Sequence, residues 1–321
     1  MLVRFGYVAM SVVVENASPS RTMTAATFVK IADREAALNK IIRLAEENLH
    51  NTLRLLRHNR AHHIHVFRFS SKLIPLLGHE LLGDWDPFEL LKQPFEAIGE
   101  YVKLHDMRVS FHPDHFTVLS TPRADVLQKS YDDLDRHVRM LDDMGLDERA
   151  KCNIHIGGAY KDKSTSMTRF IEQFSRLSER IQRRLTLEND DKTYNAIETL
   201  EACERLNVPM VLDIHHQAVN NQGETAASLW PRILKTWAAE NVPPKIHASS
   251  PKSETDRRSH ADYLYTPDLL TFLVNIAEWT SAVDVMIEAK MKDGALFRLM
   301  EELRSSKHVE IVDDATIRIL R

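Results

Sequence analysis

The stretch Pro209-Met210-Val211-Leu212-Asp213-Ile214-His215-His216 is an apolar run of strand length that ends on an acid and two imidazoles. Side chains alternate along a strand, so Asp213 and His215 are expected to turn into a shared cavity while Leu212 and Ile214 pack outward against helices. His216, where the run ends, is free to swing back towards the same cavity. The design recurs in both directions from here. Residues 108–113 carry His112, 152–158 carry His155, 185–190 carry Glu188, 244–250 carry His247 and 284–290 carry Glu288. Residues 2–8 and 63–70 share the apolar, β-branched texture, which makes about eight candidate strands, the number that closes a barrel.

Helical patterns separate these runs. In residues 33–60, Ala37, Ile41, Leu44, Ala45, Leu49, Leu53 and Leu56 recur at three- and four-residue spacing with charged residues between them. Residues 92–106, 124–144, 166–183, 195–206, 225–240, 267–280 and 294–304 repeat the pattern, and Thr266-Pro267-Asp268 reads as a cap with proline in the first turn. Strand followed by helix, with short right-handed crossovers, predicts an α/β fold: a single (β/α)8 TIM barrel over residues 1–306, with 307–321 as an appended tail of uncertain structure. Long connections at 9–32, 71–91 and 248–265 each follow a strand. They fall on the C-terminal face of the strands, where such barrels carry their chemistry, and connections of this length are usually functional.

A chain of 321 residues is within reach of one barrel with one core. Its 43% hydrophobic and 27% charged content is ordinary for a globular protein. No apolar stretch is long enough to span a bilayer and no signal-peptide pattern opens the chain, so the expectation is a cytoplasmic protein with no membrane partner. Cys152 and Cys203 fall on a candidate strand and a candidate helix, which argues for reduced core thiols. The net charge of -4 neither favours nor excludes nucleic acid, because bound metal and local basic loops set the field a phosphate backbone feels. The 16 histidines say more, since neutral imidazole is a preferred ligand of borderline divalent ions.

A single strand histidine is ordinarily a hydrogen-bonded core residue. The coincidence of several at barrel ends with carboxylates is different, because carboxylates gathered without cations repel one another towards neutrality. A divalent ion removes that difficulty. Mixed imidazole and carboxylate ligands suit manganese or zinc better than magnesium.

The motifs, taken in order, resemble the ultraviolet damage endonuclease family along nearly the whole chain. They are Arg4-Phe5-Gly6-Tyr7, Arg68-Phe69-Ser70-Ser71, Ser110-Phe111-His112-Pro113, Asn153-Ile154-His155-Ile156-Gly157-Gly158-Ala159-Tyr160 and Leu187-Glu188-Asn189-Asp190-Asp191-Lys192-Thr193-Tyr194. Asp213-Ile214-His215-His216, His247-Ala248-Ser249-Ser250-Pro251-Lys252, Ser259-His260-Ala261-Asp262-Tyr263 and Met286-Ile287-Glu288-Ala289-Lys290 continue the series. The resemblance implies a barrel related to endonuclease IV, a cluster of up to three ions with manganese expected and zinc or magnesium as alternatives, and damaged double-stranded DNA as partner. It implies cleavage 5′ to cyclobutane dimers and 6-4 photoproducts, with abasic sites among further candidates, leaving a 3′-hydroxyl and a 5′-phosphate. No obligate protein partner is expected.

Carried over by position, the first ion would take His112, His155 and a bridging Glu188. The second would take Glu188, Asp213, His247 and Glu288, and the third His216 and His260, with Asp262 as a further candidate. Glu188, Glu288 and Lys245 are the candidate catalytic residues. Lys245 lies two residues before His247 and should share its face. An ammonium there is unfavourable beside cations, so it is expected to be neutral or to carry a carbamate, the alternative being an outward lysine paired with a helix carboxylate. The resemblance also implies that the segment after His112-Pro113 enters the duplex. His115, where relatives often have glutamine, and Phe116 occupy that place.

Tyr7 is a further candidate for the lesion, the alternative for both Tyr7 and Phe116 being core aromatics. Arg68, Ser70, Lys252, Arg257, Arg258 and Lys290 are candidate DNA contacts, with Arg257 and Arg258 foremost because they adjoin His260. Competing readings are a metal-dependent sugar isomerase, whose motifs do not fit this order, an abasic-site endonuclease, and a non-enzymatic metal store or DNA-binding scaffold.

Overall fold

The computed structural model describes residues Met1–Leu320. Eight parallel strands close into a barrel: β1 (Leu2–Val8), β2 (Val66–Arg68), β3 (Arg108–Phe111), β4 (Lys151–His155), β5 (Leu185–Glu188), β6 (Met210–Asp213), β7 (Lys245–Ala248) and β8 (Ala282–Ile287). The seam lies on β1, which runs parallel to β8 from Leu2↔Ala282 to Tyr7↔Ile287 and to β2 from Gly6↔Val66 to Val8↔Arg68. Gly6 is needed at that seam, because a Cβ there would sit 2.0 Å from the Val66 carbonyl oxygen.

Helices cover the outside. The first loop holds α1 (Ala25–Val29), and the long α2 (Arg34–Ala61), capped by Asp33, buries Ala37, Ile41, Ala45, Leu49 and Leu56 against the barrel. Next come α3 (Lys92–Leu104) and α4 (Ala124–Asp143). The helix expected over 166–183 is two helices, α5 (Lys163–Phe174) and α6 (Glu179–Gln182), separated by a turn in which Gln182 Nε2 donates to the Leu177 carbonyl. The capping box of Asn195 and Glu198 starts α7 (Ala196–Leu206). After β6 comes α8 (Ile214–Val219), then α9 (Ala226–Thr236), α10 (Thr266–Ile276), whose Pro267 lies in the first turn as expected, and α11 (Lys292–Leu303). Among the described residues, no helix is long and apolar enough to cross a membrane. Cys152 and Cys203 are buried and unpaired.

Two segments depart from the sequence reading. The strand expected to carry His215 and His216 stops at Asp213, whose carboxylate accepts from the His216 backbone N–H at 2.7 Å and starts α8. An aspartate that can cap a helix ends the strand locally, so His215 and His216 stand on a helix and the expected alternation fails. The tail is a hairpin, β9 (Val309–Asp313) and β10 (Thr316–Ile319), and β10 pairs antiparallel with β1 from Leu2↔Arg318 to Arg4↔Thr316. The cause is the short β2, which reaches only Gly6–Val8 and leaves the first half of β1 with an open edge. Ile317 and Ile319 are buried there. Replacing Ile317 by alanine is therefore expected to cost about 2–5 kcal/mol, the range for a buried isoleucine. Urea denaturation would read this as a lowered midpoint, whereas an appendage independent of the barrel would leave the midpoint unchanged.

Candidate metal centre

The ligand candidates are brought together by strand register. His112 follows β3, His155 ends β4, Glu188 ends β5, Asp213 ends β6, His247 lies within β7 and Glu288 follows β8. Parallel pairing sets His155 opposite Glu188 and Asp213 opposite His247. Three groups then offer ligand atoms within 4.8 Å of one another: His112, His155 and Glu188; Glu188, Asp213 and His216; and Glu188, His247 and Glu288. Glu188 is common to all three and only 1% exposed.

Imidazoles surround it. His247 Nδ1 lies 3.1 Å from Glu188 Oε2 and 3.0 Å from Glu288 Oε1, His112 Nε2 lies 3.3 Å from Glu188 Oε2, and His216 Nδ1 lies 3.5 Å from Glu188 Oε1. Burial alone would raise the Glu188 carboxyl, but His247, His155 and His112 hold it well below the usual carboxylate range. Glu288 is likewise held well below that range against its burial, by Arg68 and His247. Burial raises Asp213 and lowers His155. Against their own burial, Asp213 and Glu188 lift His216 to about 9, and Glu188 and Glu288 lift His247 to about 9.

The donor set fits divalent ions on two observations. Nδ1 of His112, His155, His216 and His260 lies 3.0, 3.2, 2.9 and 2.7 Å from the backbone carbonyls of Pro113, Glu188, Asn189 and Glu288 respectively. A carbonyl only accepts, so these contacts place a proton on Nδ1 and, once the ring is neutral, leave Nε2 with a lone pair, the arrangement of a metal-ligating histidine. Asp213 Oδ2 is buried with no hydrogen-bond partner, which a native interior rarely tolerates. An ion among these groups would meet both needs.

Residues the sequence reading passed over orient the ligands. Asn153, on the same face of β4 as His155, donates to Glu188 Oε2 and is itself held by Thr186 Oγ1 at 2.8 Å. Asn189 clamps the start of α8, accepting from the Asp213 backbone N–H at 2.9 Å and donating to its carbonyl at 3.0 Å. The two-residue spacing of Asn153 and His155 was the available signal. Asn189 had none, because its partners are backbone atoms.

Other expected residues are spread more widely. His260 lines the cleft with its ring 6.2 Å from His216, outside the close groups. Asp262 is exposed and joins no group, offering only its carbonyl to the Met291 N–H. Lys245 is buried with Nζ donating to Ser110 Oγ at 3.1 Å, so it turns inward and pairs with no helix carboxylate. Tyr7, expected as a lesion contact, is instead fully buried with its hydroxyl donating to Asn59 Oδ1 at 2.7 Å, which makes it a core residue.

A cleft of about 1020 Å³ opens above the cluster, and Arg68, Ser70, His115, Lys72 and Lys192 contribute to its walls. Arg68 lies against Glu288, and Ser70 Oγ is 2.6 Å from Ser20 Oγ. Phe116 is 73% exposed and its ring lies 4.1 Å from that of His115. Lys252 pairs with Asp256 at 3.6 Å and Arg258 with Asp191 at 3.7 Å, whereas Arg257 and Lys290 are exposed with no ion pair among the described residues.

The family model of UV-endonuclease UvdE matches residues 3–318. A UV DNA damage endonuclease of Halalkalibacterium halodurans is 42% identical over 99% of both chains. The crystal structure of SacUVDE superposes with a TM-score of 0.82 at 27% identity, covering 94% of this chain and 98% of that one. Endonuclease IV from Thermus thermophilus shares the fold, with a TM-score of 0.56 at 14% identity over 94% of this chain and all of its own.

Because His216 and His247 titrate at about 9 in the ion-free cluster, both carry protons at neutral pH that an ion must displace. Manganese binding is therefore expected to release protons near pH 7.5 and to tighten as pH rises towards about 9, then level off. Calorimetry in buffers of different ionisation enthalpy would measure the release, and a binding heat independent of buffer would contradict it.

Proposed function

The chain belongs to the UV-endonuclease UvdE family, and from that premise we propose that it cuts double-stranded DNA at ultraviolet photoproducts, hydrolysing the phosphodiester 5′ to the lesion. Cyclobutane dimers and 6-4 photoproducts are the proposed lesions, with abasic sites as further substrates and 3′-hydroxyl and 5′-phosphate ends as products. The observation that carries the reading is the sharing of Glu188 among three ligand groups beneath an open cleft.

His112, His155 and Glu188 would hold one ion, and Glu188, His247 and Glu288 a second; Asp213 and His216, with His260 nearby, would hold a third. Manganese, the ion we favour, would activate a water for attack on phosphorus and offset the charge that develops on the leaving oxygen. The protein's part is placement. Glu188 keeps the ligand groups adjoining, Asn153 fixes its carboxylate, and the backbone carbonyls hold each histidine ring in one tautomer. Arg68 shields Glu288 and is free to turn to a phosphate when Glu288 is otherwise engaged.

Lys245 is held well below its ordinary range, first by burial and then by Arg108, so its ammonium gives up a proton more readily than an ordinary lysine does. A neutral amine can add carbon dioxide, forming an N–C bond and releasing one proton, to give the carbamate proposed for this residue. Intact mass measured under native conditions decides this, since an unmodified mass removes the carbamate.

Lesion recognition is assigned to the rim. Phe116 and His115 project into solvent as a ring pair, and an exposed phenyl ring gains by entering a base stack vacated by an extruded lesion. Arg257, Arg258, Lys252 and Lys290, with Ser70 and the cleft-lining Lys72 and Lys192, would meet phosphates.

Manganese-dependent nicking of an end-labelled duplex with one cyclobutane dimer tests the function, beside matched undamaged and abasic duplexes. The expected cut is immediately 5′ to the dimer; cutting of the abasic duplex alone, or of none, would contradict the proposal. Phe116→Ala is expected to weaken binding of the dimer duplex by roughly tenfold to a hundredfold, the worth of one base–aromatic stack. Replacing Arg257 and Arg258 by alanine should lower the slope of log affinity against log salt by about one per lost phosphate contact, and an unchanged slope removes them from the interface.

A further inference from the structure

The exposed ring pair of His115 and Phe116 sits on a turn that is anchored from behind. The Thr117 N–H donates to the Asp114 carbonyl at 2.9 Å, which closes the turn with His115 and Phe116 as its two central residues. Thr117, the next residue, is buried, and its hydroxyl donates to Asp133 Oδ2 on α4 at 2.5 Å. The Val118 N–H donates to Ser130 Oγ at 2.9 Å, three residues before Asp133 and on the same face of that helix. Arg136 Nη2 and His137 Nδ1 flank the Asp133 carboxylate at 4.0 and 3.5 Å, so the acceptor is itself held.

The chain leaving the turn is fixed on its other side as well. Ser120 donates its hydroxyl to the Gly158 carbonyl at 3.0 Å and accepts from Arg169 Nη1 at 2.6 Å through its own carbonyl. Gly157, at φ +105°, makes room for this path, since a Cβ there would lie 2.5 Å from Val118 Cγ1 and 2.8 Å from Ser120 Oγ. Of all these contacts, the Thr117 hydroxyl bond stands nearest to Phe116, and a hydrogen bond onto a carboxylate is about twice as strong as one between neutral groups.

We infer that Thr117 and Asp133 are positioning residues for lesion recognition, their hydrogen bond presenting Phe116 in one orientation before DNA arrives. The inference rests on the proposal that Phe116 fills the stack vacated by a lesion. A ring entering a gap of one base must arrive at the right angle and depth, and a ring on a loose turn has to be ordered at that moment, which weakens binding. Undamaged DNA offers no such gap. The bond therefore acts on discrimination between damaged and undamaged duplex, and neither residue belongs to a ligand group of the metal centre.

The test uses the full-length, manganese-loaded protein with duplexes carrying one cyclobutane dimer or none. Thr117→Val keeps the side-chain shape and removes the hydroxyl. It is expected to weaken binding of the dimer duplex roughly tenfold, raising KM with kcat unchanged, and to leave affinity for the undamaged duplex as it was. Amides of Phe116 to Val118 should exchange faster with solvent while the barrel stays protected. Thr117→Ser and Asp133→Asn keep a donor and an acceptor respectively, so both should bind the dimer duplex as the unaltered protein does. In a Phe116→Ala background, Thr117→Val should have no further effect, because the ring it positions is gone. If Phe116→Ala weakens dimer binding and Thr117→Val does not, or if Thr117→Val weakens both duplexes equally or adds in full to Phe116→Ala, the inference is overturned and the stacking role of Phe116 stands. If Phe116→Ala has no effect, both fall.

Discussion

The structure turns on one buried carboxylate. Glu188 sits at the end of β5, almost wholly enclosed, with its oxygens within reach of His112, His216 and His247. Taking such a charge out of water costs several kcal/mol unless its partners are fixed in advance. The barrel supplies that fixity, because parallel register sets His155 beside Glu188 and Asp213 beside His247. Without an ion the cluster balances its carboxylates by keeping His216 and His247 protonated, with both titrating at about 9. Protons and metal are thus alternative ways of neutralising the same oxygens.

The barrel and most of the candidate ligand groups at its mouth were legible because apolar strand runs and their terminal acids and imidazoles are patterns of single residues. His112, His155, Glu188, Asp213, His247 and Glu288 all reach the mouth from the strand ends the sequence assigned to them. Less was legible where a local hydrogen bond or a vacant edge decided the outcome. Asp213 ends its strand by capping α8, and so moves His215 and His216 to a helix. The open edge beside Leu2–Arg4 draws the tail into the sheet, which depends on how short β2 is and not on the tail's own residues. Tyr7 lies near the mouth in sequence, yet its hydroxyl finds Asn59 on α2, a partner no local pattern reveals.

Charge is layered along the barrel axis. Carboxylates and imidazoles gather at the mouth, whereas the opposite end holds Arg4 and Arg108 on a single Asp284. Lys245 lies in the interior between these layers, its pKa lowered by burial and then by Arg108. Backbone carbonyls complete the upper layer by fixing histidine tautomers, and Asn153 and Asn189 hold the carboxylate and the helix start that carry the ligands. Phe116, Arg257 and Lys290 are exposed on loops outside that frame.

Anomalous diffraction at the manganese edge, from crystals grown with the ion, tests the multi-ion centre most directly. More than one anomalous peak is expected in the barrel mouth, with Glu188 shared between neighbouring peaks and Nε2 of His112, His155 and His216 directed at the density. A single peak, or none near Glu188, would contradict a shared-carboxylate metal cluster.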